Sequence, residues 1–434
     1  MIRFIDLFAG LGGLRLGFTE GLKEVGIDST CVFSSEIKDY AIKVYKNYFN
    51  DAKVYGDICN IKTSDIPDFD FLLAGFPCQP FSSAGKGLGF LDTRGTLFFE
   101  IERILKDKID SNKAPIGFLL ENVEGLINHD NGNTLDTIIT KLEKLGYNVT
   151  YKLLDSRDFG LAQSRKRVYI VGLLNSTISL DNFLKKTAKL KDILETGLPT
   201  NNTKFTNLLL KHYSPYELYG KSVKDKRGGN NNIHSWDIEL KGKTSIKERE
   251  LLNILLKERR KKHWANEIGI KWMDGMPLTE NQIRTFYNDK ELSNMLHHLT
   301  VEGYLTYEFP KEFINGKREP DITKEKGYNI VAGKLSFEFS KILDPNDLAP
   351  TLVAMDVTKL GVIDGNGIRH LSIREAQKLF GYPDSYDLSI IKESDAFDLL
   401  GNTVCVPVIE KISVRIGNKI KELQNDINSW TNLW

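Results

Sequence analysis

The sequence predicts an α/β protein: a doubly wound, mainly parallel sheet with a second, smaller domain of mixed structure inserted before the C-terminal helix. Three observations predict it. Apolar runs of strand length alternate with amphipathic helical stretches over the first 175 residues, the first strand enters a glycine-rich turn, and the alternation stops between about 176 and 345 before returning.

The elements follow in order. Residues 3–9, RFIDLFA, form a short apolar strand ending at the turn AGLGG, and LRLGFTEGLKEVG then has amphipathic helical spacing. CVFSSEI is a second strand and KDYAIKVYKNYF its helix. DFDFLLAGF is a third strand, a helical RGTLFFEIERILKDKI leads to the strand IGFLLENV, and VTYKLLDS pairs with KRVYIVGLL. Beyond residue 176 the chain becomes rich in asparagine and lysine, as in TNNTKFTN and DKRGGNNNIHSWD. There KTSIKERELLNILLKERRKKHW reads as one long helix and LTENQIRTFY as a shorter one. KELSNMLHHLTVEGYLTYEF reads as a helix with apolar positions 292, 295, 296 and 299, then a glycine and a strand. Helices followed by a β wing resemble a winged-helix arrangement, which commonly docks on DNA; a helical insert with its own small core fits the same pattern. After 345 the βα style resumes with LAPTLVA, the helix LSIREAQKLFGYP ended by glycine and proline, and GNTVCVPVIEKISVRIGNKI, a loop entering a long helix that packs back on the first domain. The expected divisions are 1–180, a catalytic and cofactor-binding domain; 181–345, the inserted domain; 346–398, a hinge and return segment; and 399–434, the C-terminal helix completing the first domain.

At 434 residues, 41% hydrophobic and 27% charged, the chain can build a sizeable core. It has no apolar run of the ~18 residues a membrane span needs, and MIRFIDLFAG lacks the basic and apolar regions of a secretory leader, so a cytoplasmic protein is expected. The four cysteines, Cys31, Cys59, Cys78 and Cys405, form no CxxC pair, and the seven histidines show no metal-ligand spacing; neither a disulfide framework nor a metal is expected. The net charge of +1 hides a segregation: residues 201–265 hold 15 Lys or Arg against 7 Asp or Glu, a local charge of +8 that leaves −7 for the remainder. The run KERRKKH at 257–263 is either a solvated helix face or a nucleic-acid contact.

Gly10, Gly12 and Gly13 allow a tight turn and close ligand approach at a helix N-terminus, although their spacing is not the dinucleotide fingerprint. Glu36, ending the second strand, suits ribose hydroxyls, and Asp57 in YGDI suits an exocyclic amine; with the turn they point to an adenosine-containing cofactor. Cys78 follows FLLAGF at the carboxyl edge, where open α/β sheets bind ligands, and stands between Pro77 and Gln79 ahead of the loop SSAGKG. A free cysteine is more often a small buried hydrophobe than a nucleophile. Its surroundings shift that balance: Glu121 in LLENV ends another strand on the same edge, and Arg165 and Arg167 in QSRKR are suited to lowering a thiolate pKa or clamping a phosphate.

Taken together, the motifs resemble the DNA (cytosine-5)-methyltransferase family of the bacterial restriction–modification type, which uses S-adenosylmethionine. FIDLFAGLGGLRLGF, SEIKDYA, YGDI, GFPCQPFS with AGKGLGFLDTRGTLFFE, LLENVEGL, DFGLAQSRKRVYIVG, LAPTLVA with REAQKLFGYPDSY, and GNTVCVPV follow the family's order over about 270 of 434 residues. The resemblance implies the S-adenosylmethionine-dependent methyltransferase fold, with the variable middle as a target recognition domain. It implies Cys78 as the nucleophile adding to carbon 6 of a flipped-out cytosine, Glu121 as the acid at ring nitrogen 3, Arg165 and Arg167 near the flipped nucleotide, and Ser82 on a phosphate. Cofactor contacts are implied for Phe8, Gly10, Gly12, Gly13, Glu36, Ile37, Asp57, Ile58, Pro77, Leu97, Asn402, Thr403 and Val404, Ile37 standing where some members carry an aromatic residue. Gln79, Lys86, Arg227, Lys261, Lys262 and Lys334 are further candidate DNA contacts, and the loops 227–236 and 328–340 candidate base readers. The expected partners are double-stranded DNA and a functionally paired restriction endonuclease, for a monomer that is nucleoid-associated through DNA. The tRNA-methylating branch of the family is the competing reading; a dinucleotide oxidoreductase conflicts with the glycine spacing, and a non-catalytic binder with the intact set Cys78, Glu121, Arg165 and Arg167.

Overall fold

The computed structural model describes residues 1–76, 97–226, 229, 231–314, 316–331, 337–354 and 357–431. They fall into two compact units, one built from 1–195, 345–357 and 372–434, the other from 196–344 and 358–371.

In the first unit β1 (Ile2–Leu7), β2 (Ser29–Ser35), β3 (Val54–Tyr55), β4 (Phe71–Gly75), β5 (Gly117–Val123), β6 (Tyr147–Asp155) and β7 (Lys166–Leu174) form one sheet in the order β3-β2-β1-β4-β5-β7-β6. The pairs from β3 to β5 are parallel, and β7 runs antiparallel to both β5 and β6. This is the doubly wound, mainly parallel sheet that the alternation predicts. Helices α1 (Gly13–Glu24), α2 (Asp39–Tyr48), α3 (Leu97–Asp110) and α4 (Asn133–Lys144) provide the crossovers. Leu72, Leu73 and Ala74 of β4 and Phe118, Leu119 and Leu120 of β5 are fully buried, because a parallel strand covered on both faces must be apolar at every position. On one face Phe98, Ile101 and Leu105 of α3 and Ile138 and Leu142 of α4 pack against Leu72, Phe118 and Ile170. The strand order reverses between β1 and β4, so the chain leaves their carboxyl ends in opposite directions and opens the crevice in which such sheets bind ligands.

The second unit has two cores. A five-stranded sheet, in the order β16-β15-β14-β8-β9, joins β8 (Ser222–Val223), β9 (Asn232–Ile233), β14 (Lys341–Ile342), β15 (Leu360–Asp364) and β16 (Gly367–His370). It packs with α5 (Lys204–His212) and α6 (Pro215–Leu218) through Phe205, Leu209, Leu218, Val223, Phe339 and Ile368. The other core gathers α7 (Ile246–Glu258), α8 (Lys262–Ile268), α9 (Glu280–Arg284) and α10 (Leu292–Val301) around Leu252, Leu255, Leu256, Trp264, Leu296 and Leu299. After Gly303, at φ 78°, β10 (Leu305–Glu308) pairs antiparallel with β13 (Gly327–Ile330), and β11 (Lys311–Ile314) and β12 (Lys317–Pro320) form a hairpin between them. The strand expected after this glycine is therefore the first of a β ribbon.

Two local readings are corrected. The stretch read as one long helix breaks at residues 259–261 into α7 and α8. Arg259 is buried and donates to Asn329 Oδ1 at 2.5 Å and to the Ile330 carbonyl on β13, and these contacts draw the backbone off the helical path. LAPTLVA forms no strand; Ala349 makes a single bridge to Gln163, and Pro350 beside it has no amide to continue a ladder.

The chain returns to the first unit through α11 (Ile373–Phe380), α12 (Glu393–Asn402) and α13 (Val406–Thr431). Ser372 and Glu375 close a capping box on α11, and Gly381 ends it at φ 78°. Helix α13 lies directly on α1: a Cβ added to Gly17 would stand 2.6 Å from Ile409 Cβ, and one on Gly21 2.4 Å from the Glu410 carbonyl. Glycines four residues apart clear one face of α1 for this approach.

Candidate functional site

At the carboxyl end of β1 the turn is built from left-handed residues: Phe8 at φ 56°, Gly10 at 52° and Gly12 at 68°. Such a backbone costs a non-glycine residue free energy, so the positive φ of Phe8 marks an imposed conformation. A Cβ on Gly10 would meet nothing closer than the Phe8 carbonyl at 3.9 Å, so the turn presents open space to a ligand. Gly13 differs. A Cβ there would lie 2.6 Å from Tyr382 Oη and 2.7 Å from Val404 Cγ2, which makes it a packing glycine under the turn.

Glu36 holds this turn. Its Oε2 accepts from the Gly10 amide at 2.8 Å, and its Oε1 from the amides of Ile37 at 2.8 Å and Lys38 at 2.9 Å. A carboxylate has about four acceptor positions, so room for one further donor remains. Asp57 is exposed and caps the short turn 58–60 through Cys59 N. Ile37 is 69% exposed, whereas Ile58 turns its side chain into the core. Asp398 on α12 accepts from Lys38 Nζ at 2.6 Å and Tyr40 Oη at 2.7 Å, and the Asn402 side chain donates to the Asp398 carbonyl. Thr403 and Val404 are buried, with Thr403 Oγ1 2.5 Å from Tyr382 Oη. The ends of β1 and β2 and the turn after α12 are thus fastened into one rim. An open left-handed turn, an acidic residue with spare acceptor capacity and an exposed apolar side chain fit a nucleoside.

At the neighbouring strand end, Gly75 of β4 is the register partner of Glu121 of β5, and a Cβ on Gly75 would lie 3.7 Å from Glu121 Oε2. Arg167 Nε approaches Glu121 Oε1 at 3.1 Å. Burial raises the Glu121 carboxyl above its ordinary range, with Arg167 and Arg165 pulling the other way. Asn122, buried beside it, donates to the Phe76 carbonyl at 3.1 Å and so anchors the chain as it leaves β4. Arg165 behaves differently from Arg167. Its guanidinium donates to the carbonyls of Leu352 at 2.7 Å, Gly401 at 3.2 Å and Thr403 at 2.8 Å, and stands over the Phe380 ring. It is committed to holding the return segment. Leu97 opens α3, half-buried. Pro77, Cys78, Gln79, Ser82, Lys86, Arg227 and Lys334 lie outside the described residues.

The C-5 cytosine-specific DNA methylase model matches residues 2–418. The chain belongs to that family. It is 57% identical over 422 residues to the Type II methyltransferase M.NlaIV of Neisseria lactamica, covering 96% of this chain and 98% of the relative. It is 43% identical over 438 residues to M.HgiCI of Herpetosiphon aurantiacus, covering 95% and 97%. Among solved structures, the Entamoeba histolytica methyltransferase EhMeth superposes with a TM-score of 0.54 at 15% identity, covering 97% of this chain and 99% of that one, a likeness of fold. The protein is thus a DNA (cytosine-5)-methyltransferase.

Within this methylase the described cysteines, Cys31, Cys59 and Cys405, are poorly suited to nucleophilic attack, and burial raises the Cys31 thiol. Burial raises the Cys405 thiol to about 11, and burial with the Asp57 carboxylate raises Cys59 to about 11. Among the described residues no group of three or more His, Cys, Asp or Glu could hold a metal ion, and no helix is long and apolar enough to cross a membrane. In the second unit Lys261 pairs with Glu258 at 2.7 Å, Lys262 is exposed, and Arg260 pairs with Asp274 at 2.5 Å, so the KERRKKH run is neither one helix face nor one continuous basic stripe. His234, Ser235 and Trp236 are buried, which removes the end of the 227–236 loop from any surface role.

The sequence reading passed over Asp6, the one acidic residue within RFIDLFA. It is fully buried beneath the turn; Oδ2 accepts from Tyr45 Oη at 3.0 Å, Tyr45 Oη also meets Ser34 Oγ at 2.9 Å, and Oδ1 has no partner among the described residues. Burial raises the carboxyl to about 7. Such a group is protonated in the fold while ionised in the unfolded chain, so its contribution is fully present below the ordinary Asp range and is lost as pH rises through about 7. Between about pH 5 and 8 the wild type is expected to lose on the order of 2 kcal/mol more stability than Asp6→Asn. Urea unfolding at each pH reads this directly; parallel pH dependence would mean that Asp6 is ionised in the fold.

Proposed function

We propose that the methylase transfers a methyl group to carbon 5 of a flipped-out cytosine in a specific short duplex DNA sequence, and that it protects DNA from a paired restriction endonuclease. The observation that carries the reading is the buried Glu121, raised by desolvation and leaning over the end of β4, three residues before Cys78. Cytosine carbon 5 is a weak nucleophile. Addition of the Cys78 thiolate to carbon 6 turns the ring into an enamine, and a protonated Glu121 stabilises that addition by donating to ring nitrogen 3. Arg167 fixes the carboxyl in place, and Asn122 holds the backbone that presents the cysteine. Once carbon 5 carries the methyl group, its proton leaves and the Cys78 bond breaks, restoring aromaticity. Flipping the base costs a few kcal/mol, which contacts to the DNA backbone must offset.

S-Adenosylmethionine, when bound, supplies an electrophilic methyl group. In this reading Phe8 and Gly10 receive it at the turn, Glu36 takes ribose hydroxyls in its remaining acceptor position, Asp57 the adenine amine and Ile37 the adenine face. Arg165 acts at one remove, holding the carbonyls of Gly401 and Thr403 so that the rim keeps its shape. The second unit serves as the target recognition domain.

The test offers the purified protein duplex genomic DNA and tRNA in parallel, with labelled methyl donor. Incorporation into DNA, at one recurring sequence context by bisulfite sequencing, is the expected result. Transfer confined to tRNA would overturn the reading.

A further inference from the structure

The β11–β12 hairpin gathers two cations and an aromatic ring on one face. Side chains alternate along a strand, so Lys311 and Phe313 share one face of β11 and Glu312 takes the other. The register sets Arg318 opposite Phe313 and Glu319 opposite Glu312. One face therefore carries an aromatic ring flanked by two cations, and the other two carboxylates with Lys317. Glutamates directly across a ladder repel, and Glu312 offsets this by accepting from the amides of Phe313 at 2.8 Å and Lys271 at 3.1 Å. The second of these bonds fastens the hairpin to Lys271. Lys271 Nζ stands 5.6 Å from the centre of the Phe313 ring. Lys271, Trp272, Lys311, Phe313 and Arg318 line a cleft of about 130 Å³ that no acidic side chain enters.

Three properties say what fits there. Trp272 is 44% exposed and Phe313 53%, so two large apolar surfaces stay in water, while Trp272 Nε1 donates to the Arg260 carbonyl at 2.9 Å and keeps its ring fixed. Lys271 and Arg318 have no ion-pair partner among the described residues, and Lys311 has only a 3.6 Å approach to Glu308. Finally, a two-stranded ribbon is narrow enough to follow a groove of duplex DNA.

We propose that this cationic, aromatic face of the hairpin is a contact for the sugar–phosphate backbone of the DNA substrate. Phosphate oxygens lie on Lys271, Lys311 and the planar fork of Arg318, with deoxyribose against Phe313 and Trp272. The proposal rests on the reading of duplex DNA as substrate. It gives this contact to the ribbon, whereas the sequence placed candidate contacts at Lys261 and Lys262.

The test measures binding of the full chain to a labelled mixed-sequence duplex between about 50 and 200 mM salt. Each phosphate contact contributes about 0.9 to the slope of log affinity against log salt, so the K271A/K311A/R318Q variant is expected to lose about 2 to 3 from that slope and at least tenfold in affinity. F313A is expected to weaken binding several-fold at unchanged slope. All four residues reach the surface, and thermal melts check that each variant is folded. An unchanged slope and affinity in the folded triple variant would overturn the proposal. So would loss of poly-glutamate binding with DNA binding intact, since the cleft would then serve an acidic polypeptide. Formation of a covalent adduct with 5-fluorocytosine DNA at saturating concentration tests the underlying reading separately: an adduct in wild type and triple variant alike keeps the methylase reading whatever the slopes show.

Discussion

Cys78→Ser is expected to lower methyl transfer by about 10⁴-fold or more while folding and DNA binding stay near wild type. A hydroxyl is far less nucleophilic than a thiolate at neutral pH, and none of the described cysteines can take over: burial raises the thiols of Cys31 and Cys405, and Cys59 has a thiol raised to about 11. The complementary measurement uses DNA carrying 5-fluorocytosine, whose fluorine blocks the final elimination. Wild type is expected to yield a complex that survives denaturing electrophoresis and Cys78→Ser to yield none; an adduct formed equally by the variant would remove Cys78 from the chemistry.

The second large effect is at Glu121. Glu121→Gln is expected to lower kcat by about 10² to 10³, with DNA affinity within several-fold of wild type, because an amide of the same shape cannot supply the proton to ring nitrogen 3. The pH dependence has a definite sign. Burial raises this carboxyl, so it stays protonated to higher pH than an ordinary glutamate, and wild-type activity falls as pH rises through that raised value. The variant has no such limb. Replacing the carboxyl also weakens its contact with Arg167, so kcat is compared at temperatures where both proteins are folded. A variant with wild-type kcat and an unchanged pH limb would assign Glu121 to holding Arg167 alone.

Both candidates stand out in the chain because they fall at or just after apolar runs. β4 and β5 are buried on both faces, so Phe71–Gly75 and Gly117–Val123 read as strands without ambiguity, and polar residues at their carboxyl ends fall where a parallel sheet opens. The glycine turn was legible for a similar reason, since only a backbone that must turn sharply after a strand asks for Gly10 and Gly12 together. Helix α4 could have been read from the spacing of Leu135, Ile138 and Leu142, and was not.

Other features depend on partners distant in the chain. Nothing local distinguishes Arg165 from Arg167, yet one meets the carbonyls of Leu352, Gly401 and Thr403 and the other Glu121. Arg259 looked like one more cation in a basic helix, but Asn329 and Ile330 on β13 draw it inward and break the helix. Residues 358–371, expected in the return segment, pair as β15 and β16 with β14 because the second unit's sheet needs their ladder.

By itself, then, the sequence determined the doubly wound sheet, the turn at the end of β1 and the place of Glu121 on β5, because periodicity and strand ends are short-range properties. Only the tertiary structure decided that Glu36 braces the turn, that Asp6 is buried beneath it, and that two of the ribbon's cations share a face with Phe313. A charge acquires its role from the dielectric around it and from the groups the fold brings within about 3 Å, and neither can be read along the chain.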